Sequence, residues 1–294
     1  MDGGPGTDAA SRTVGVVIVS YDSGPVVEAA IDAVAAQAPT AIVVVDNAPT
    51  ASPDLARAAA AHPDLVVIHR PDNPGFCAGN NIGVAALPPT EFVLFLNPDA
   101  IVSAGFLEAA VDALDANPRA GAVGPKLVRL DPDSLAATGE IDCAGICTTW
   151  YGRTYDRGQG TPDDGRFDGP AEAVPALCAA AMFCRRTALD DVADEGQIFD
   201  EAFFMYKDDI DLSYRLRAKG WSLLYVPALV AGHVRGAHGV RADRASRRRF
   251  RMLSLSNDWR VWRKGLMPAP LRLAMLGYLV AKTAVLRLVP WWTP

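Results

Sequence analysis

Residues 14–19 form an unbroken β-branched run, Val-Gly-Val-Val-Ile-Val, which stops at Ser20-Tyr21-Asp22-Ser23-Gly24-Pro25. Continuous rather than alternating apolarity predicts a strand covered on both faces, as in a parallel sheet. A helix is predicted over residues 26–37, where Val27, Ala30, Ile31 and Val34 recur at helical spacing. The same alternation continues. Residues 42–45 read as a strand closed by Asp46-Asn47, 55–61 as an alanine-rich helix, 65–68 as a strand, and 92–96 as a strand closed by Asn97-Pro98-Asp99. Strand and helix in turn predict an α/β fold, a mostly parallel sheet flanked by helices. Farther along, residues 106–114 read as helix, 122–127 as strand, and 131–168 as irregular loops over the active face. Residues 174–186 are rich in small residues and form either a tightly packed buried strand or the lining of an acceptor pocket, and 221–226 is a last strand that leads to Ala231-Gly232-His233.

The polar residues sit where this pattern makes them informative. Tyr21 and Asp22, Asp46 and Asn47, and Asn97 and Asp99 each follow the carboxyl end of a predicted strand, the edge at which open α/β sheets bind ligands. One such pair is an ordinary turn; three of the same kind point to a site. The first strand lacks the G-x-G-x-x-G of a dinucleotide fold, and no Walker loop, H-E-x-x-H or G-x-S-x-G occurs. The stretch from Asn73 to Gly83 holds three glycines and three asparagines around Phe76, either a long turn into a helix or a loop brought close to a phosphate-bearing ligand. The sharpest feature is Phe203-Phe204-Met205-Tyr206-Lys207-Asp208-Asp209-Ile210-Asp211-Leu212, an apolar run delivering three acids to the first turn of a helix. Helix N-termini favour acids, and Asp211 with Arg215 is an i,i+4 pair. Neither explains so apolar an approach, and a carboxylate on a pocket floor is a candidate general base.

Composition narrows the reading. The chain has 294 residues, 50% hydrophobic and 21% charged, enough for a full core. Its net charge of -6 argues against a general nucleic-acid binder. The five cysteines are odd in number and contain no C-x-x-C, which reads as reduced, cytosolic thiols. Residues 1–12 carry no apolar segment and are expected to be disordered, with the α/β domain expected over 13–236. Residues 237–294 are expected to form a basic and then amphipathic helical extension. Arg247-Arg248-Arg249 lies within it, no apolar run appears long enough to span a bilayer, and Trp291-Trp292 stands near its end. Such an extension would meet a membrane surface, pack on the domain or form a homodimer.

With these motifs in place, the chain resembles the family-2 inverting glycosyltransferases of GT-A (Rossmann-like) fold, in the bacterial rhamnosyltransferase-like branch that builds cell-surface glycans. The resemblance rests on the first-strand Val19-Ser20-Tyr21, on Val45-Asp46-Asn47, on Asn73-x-Gly75-Phe76 through Asn81-x-Gly83, on Asn97-Pro98-Asp99, and on Tyr206-x-Asp208-Asp209-x-Asp211-Leu212. It implies a UDP- or dTDP-sugar donor, a glycan, lipid-linked or small-molecule acceptor, and a cytoplasmic enzyme, peripheral on the inner face of the plasma membrane. Ser20, Tyr21, Asp46 and Asn47 would hold base and ribose, and Gly75, Phe76, Asn81 and Asn97 would border the diphosphate and sugar. Asp99 and His233 would bind Mg²⁺ or Mn²⁺. Asp209 would be the catalytic base, with Asp208 beside it. Two departures bear on this: Asn97 replaces the first acid of the family's D-x-D, and Asp208 replaces its usual Glu. A binding protein that kept the fold without catalysis is the alternative from a different class.

Overall fold

The computed structural model describes residues 12–235 and 244–288. The expectations for residues 1–11 and for Trp291-Trp292 fall outside that range. Arg12 is described, and it pairs with Glu91 (2.9 Å) and Asp115 (3.0 Å).

The first half follows the predicted alternation: β1 (Val14–Ser20), α1 (Val26–Ala35), β2 (Ala41–Asp46), α2 (Pro53–Ala61), β3 (Val66–His69), α3 (Phe76–Ala86) and β4 (Phe92–Leu96). Then come β5 (Ala100–Val102), α4 (Phe106–Asp115), β6 (Ala120–Leu130), β7 (Ala137–Cys143), β8 (Ile146–Thr148), β9 (Thr154–Asp156), β10 (Glu172–Ala173), β11 (Ala181–Arg185) and α5 (Arg186–Val192). The chain closes with α6 (Asp208–Ala218), β12 (Ser222–His233), α7 (Arg244–Lys264) and α8 (Ala269–Leu288). The central sheet runs β10-β12-β6-β11-β4-β1-β2-β3, with β5 against β12 and β7 against β6. β1, β2, β3 and β4 pair parallel, and β6 pairs parallel with β12. β11 is antiparallel to both β4 and β6, so the two parallel groups point the same way and share one carboxyl edge. This is a mostly parallel α/β sheet of GT-A type.

Two differences from the sequence reading have local causes. β12 continues past residue 226 to His233 through a register shift between Val226 and Val230. Pro227 lies in that shift: it has no N–H for the ladder, and a bulge accommodates it. Residues 131–168 are not merely irregular, since they contain β7 and the β8–β9 hairpin. These strands are short or exposed along part of their length and lack the apolar run that marks a buried strand.

The boundary expected at residue 236 does not separate two cores. Leu255 and Val261 of α7, Met267, and Met275 and Leu279 of α8 belong to the same buried cluster as the sheet. Lys264 of α7 bonds Asp200 and Asp211, each at 2.7 Å, and lies over the Phe203 ring. α8 also corrects the reading of its length. Its prolines stand at its N-terminal end and beyond it rather than inside. This leaves residues 269–287 continuous, with a mean hydropathy of 1.3, long and apolar enough by length and composition to cross a membrane. That outer face is exposed at Leu273 (72%), Val280 and Val285.

Candidate active site

The carboxyl edge gathers the predicted residues because the strands end together. Ser20 and Asp46 are register partners on β1 and β2, and Leu96 of β4 lies opposite Ile18. Behind them α3 presses close to β1. A Cβ on Gly83 would stand 2.3 Å from Val17 Cγ1, so only glycine permits that approach. The helix N-terminus, with Gly75 and Phe76, is thereby held over the sheet edge. Asp46 is buried and accepts from the amides of Ala48 and Ser52 at 3.2 and 3.0 Å, shaping the loop that follows β2. Asn47, 2% exposed, donates through Nδ2 to the Gly75 carbonyl at 3.1 Å. Its Oδ1 is buried and has no partner. Such an acceptor costs about 1–3 kcal/mol unless a donor meets it, and a ribose hydroxyl or base N–H would do so. Ser20 bonds Ser23 (2.9 Å) inside the loop, and Tyr21 stands exposed at the rim. Asn81 differs from the expectation of a sugar contact. Its amide donates to Phe199 O and Glu201 Oε1, and its oxygen accepts from the amides of Ile198 and Phe199, so its bonding capacity is spent on the segment before α6.

β12 pairs with β5 at His233 and Ala100, which brings His233 beside Asp99 although 134 positions separate them in sequence. Both side chains are buried, with His233 Nε2 3.3 Å from Asp99 Oδ1 and 3.4 Å from Asn97 Nδ2. The other ring nitrogen, Nδ1, meets Asp142 Oδ2 of β7 at 2.8 Å. Burial alone would lower the His233 pKa, but the bonds to Asp142 and Asp99 outweigh it and raise it to about 10. A carboxylate that fixes Nδ1 and leaves Nε2 facing a second carboxylate is the arrangement that orients a metal-binding imidazole. Asp99 and His233 therefore fit a divalent ion that displaces the Nε2 proton on binding, with Asn97 as a neutral neighbour, and the oxygen and imidazole donors suit Mg²⁺ or Mn²⁺. Cys143, Asp156 and Cys178 also converge, their ligand atoms lying within 4.8 Å of one another. Arg235 is paired to Asp156, and the Cys143 thiol is held protonated by its bond to Cys178 and by burial, so this second group is the poorer ion site.

Asp208 and Asp209 open α6 on the same edge. The amide of Asn97 donates to Ala180 O at 2.9 Å, and the neighbouring Ala179 amide donates to the Asp209 carboxylate, so β11's approach links the two groups. Burial pushes the Asp209 pKa up; the Lys207 charge opposes this and Asp156 assists, leaving it at about 6. Asp208 is more deeply buried and carries the Asp209 charge beside it, and its pKa rises to about 8. The two carboxyls titrate as a coupled pair, and burial with their mutual repulsion keeps one proton between them at neutral pH. Asp211 pairs with Arg215 at 2.8 Å as the spacing predicts. The sequence reading missed Asp142, Asp156 and Arg235, all in or after the stretch taken as loop. A signal was present at Asp142, an acid between Ile141 and Cys143 that ends a polar strand on an apolar step.

A mostly parallel sheet whose carboxyl edge gathers Asp46, Asn47, Asp99 and His233 beside a buried acid pair has the architecture of a GT-A-type glycosyltransferase. The chain belongs to the glycosyltransferase-like family 2, whose family model matches residues 11–253, across the boundary expected at 236. It is similar to the N-acetylglucosaminyl-diphospho-decaprenol L-rhamnosyltransferase of Mycobacterium tuberculosis, 32% identical over 162 residues, 53% of this chain and 50% of that one. It is also similar to the pre-mycofactocin glycosyltransferase of the same organism, 29% identical over 195 residues, 65% of this chain and 37% of that one. The chain therefore spans half or less of the length of these relatives. In fold it resembles a mannosyltransferase from Pyrobaculum calidifontis in complex with GDP-Man and Mn²⁺. The TM-score is 0.60 at 19% identity, covering 96% of this chain and 76% of that one. GalNAc-T7 with UDP, GalNAc and Mn²⁺ matches with the same TM-score at 16% identity, covering 75% of this chain and 43% of that one.

Proposed function

We propose that the protein transfers a hexose, rhamnose or a relative, from a UDP- or dTDP-sugar to an acceptor hydroxyl with inversion at the anomeric carbon. The observation that carries this reading is the Asp208-Asp209 pair at the start of α6, set on the sheet edge that also holds Asp99 and His233. Asp209 takes the proton of the acceptor hydroxyl as its oxygen attacks the anomeric carbon; the bond to the diphosphate breaks on the opposite face. Asp208 stays protonated, which keeps a second negative charge away from the incoming hydroxyl. Asp46, Asn47, Ser20 and Tyr21 hold the nucleoside, and the positive end of the α3 dipole favours the diphosphate beside Gly75. A divalent ion on Asp99 and His233 would supply Lewis-acid stabilisation of the leaving diphosphate.

The acceptor is lipid-linked in this reading. An apolar groove of about 230 Å³ at the turn that leads into α6 is lined by Phe204, Met205, Phe250 and Leu253, with Arg249 as its cation. The outer face of α8 would rest on the cytoplasmic face of the membrane, near such an acceptor. The test is a screen of UDP- and dTDP-sugars for hydrolysis and transfer with Mn²⁺. Asp209→Asn is expected to lower turnover on the order of 10²- to 10⁴-fold with donor binding near normal. Wild-type turnover in that variant would overturn the assignment of the base, and nucleotide-sugar binding with no turnover in the wild-type protein would favour a non-catalytic binder.

A further inference from the structure

The segment that delivers the acid pair is strained, and its carbonyls are held from two sides. Phe204 has φ 61° and ψ -60°, and the Met205 amide donates to the Phe203 carbonyl at 2.7 Å. That is a γ-turn of the rare hand, a conformation costly for a residue with a Cβ. Tyr206 (φ 69°) and Lys207 (φ 66°) follow in the left-handed region, again without glycine. Strain of this kind persists only where surrounding structure over-determines it, and it clusters at functional sites. From one side, the amides of Phe76 and Cys77 at the start of α3 both point to the Phe204 carbonyl, at 2.7 and 3.2 Å. From the other side comes a single residue of α7. Asn257, 0% exposed, directs Nδ2 at the carbonyls of Phe203, Met205 and Tyr206, each at 2.9 Å. Its Oδ1 accepts from Arg260 at 2.9 Å. The amide orientation is therefore fixed, because reversing it would set an oxygen against three carbonyl oxygens. Four consecutive carbonyls before the acid pair are thus engaged, three of them by one side chain that lies 48 positions beyond Asp209.

We infer that Asn257 is a positioning residue for the reaction: through the strained turn it sets where Asp208 and Asp209 stand relative to the donor loop at Gly75 and Phe76. It touches neither acid and reaches them only through the backbone. A plain helix tether would need one bond and no strain, and Lys264 already ties α7 to Asp200 and Asp211. The inference rests on Asp209 as the base.

The test compares Asn257→Ala with Leu255→Ala, which loosens the packing of the same helix without touching the turn. Turnover is followed with whichever UDP- or dTDP-sugar the screen selects, at a temperature where circular dichroism finds each variant folded. For Asn257→Ala, kcat is expected to fall on the order of 10²-fold, the scale of an ångström-sized misplacement, while donor KM stays within about threefold. Hydrogen exchange at the Met205, Phe76 and Cys77 amides should accelerate. Leu255→Ala should lower Tm and leave kcat near wild type. Asn257→Gln, which keeps the amide, should recover part of the loss, and Asn257→Asp, which replaces donors by an acceptor, should not. A folded Asn257→Ala with wild-type kcat overturns the inference, as does a kcat loss matched by Leu255→Ala. If neither Asn257→Ala nor Asn257→Gln folds, the amide serves the fold itself and the positioning role is likewise overturned. Asp209→Asn run alongside separates the two claims. If it keeps turnover, the base assignment fails; if it loses turnover while Asn257→Ala does not, this inference alone fails.

Discussion

Asp208 makes the acid pair testable without knowledge of the substrate. Burial and the neighbouring Asp209 charge raise its pKa from 3.8 to about 8, so the folded protein holds a proton that the unfolded chain releases. For an acid raised in this direction, the stabilising contribution is complete below the unfolded value. It is lost progressively as pH rises from about 4 to about 8, where the folded group ionises. Each pH unit across that window corresponds to about 1.4 kcal/mol, so by about pH 8 the buried carboxylate opposes folding by on the order of a few kcal/mol. Asp208→Asn replaces the titrating group with a neutral isostere that keeps an acceptor oxygen. The variant should therefore be close to wild type in stability near pH 4 and progressively more stable than wild type up to about pH 8, after which the gap levels off. Urea unfolding across this range, in EDTA so that no divalent ion screens the pair, gives the difference directly. A gap independent of pH, or an Asn variant less stable than wild type at alkaline pH, would refute burial as the cause of the shift. The same variant should lose less turnover than Asp209→Asn, because Asp208 is already protonated at neutral pH.

The remaining expectations concern the rest of the edge. The acid limb of kcat/KM should fall near pH 6, and Lys207→Met should move it to higher pH, since the Lys207 charge holds Asp209 down; an unmoved limb argues that Asp209 is not the group observed. Gly75→Ala should destabilise the protein by about 2–4 kcal/mol and abolish donor binding. A Cβ there stands 2.4 Å from Phe204 Cδ2 and 2.8 Å from its carbonyl, at φ +95°; a stable, active variant would contradict the close approach. Asp142→Asn should weaken Mn²⁺ binding about 10- to 100-fold in a thermal-shift titration by releasing the His233 ring, and unchanged affinity would remove the ion from this pair. Full-length protein should sediment with anionic vesicles and release with salt, and indifference to them at low salt would make the α8 face a contact between protein chains.

How much of this was legible depends on how local the cause is. β1, β2 and β4 are written in unbroken apolar runs, because a strand buried on both faces admits nothing else, and their polar ends follow automatically. That is why Asp46, Asn47, Asn97 and Asp99 could be named from the sequence alone. The Asp208-Asp209 pair was visible for the same reason, as acids placed against an apolar run. Asp142 and Asp156 were not, because β7 and β9 are held by register to β6 and β8 rather than by apolar pattern. Asn81 shows what a local pattern leaves out: an asparagine in a glycine-rich loop suggested a ligand contact, and its partners in the structure lie on the segment around residues 198–201.

Asn257 marks the limit of such reading and also explains why α7 belongs to the transferase. Its surroundings in sequence are a basic helix, which left membrane contact, packing on the domain and a homodimer all open. Yet the backbone of residues 203–207 cannot hold positive φ at three bulky residues on its own. The carbonyls so exposed inside the protein need donors. α3 supplies amides for one of them, and a helix from the far end of the chain shares the two N–H groups of one carboxamide among the other three, of which Phe203 O also accepts from the Met205 amide. The acids at the start of α6 are therefore positioned by elements from both ends of the chain. A helix required for that geometry packs into the catalytic core on its inner side, through Leu255 and Val261, whatever its outer side meets.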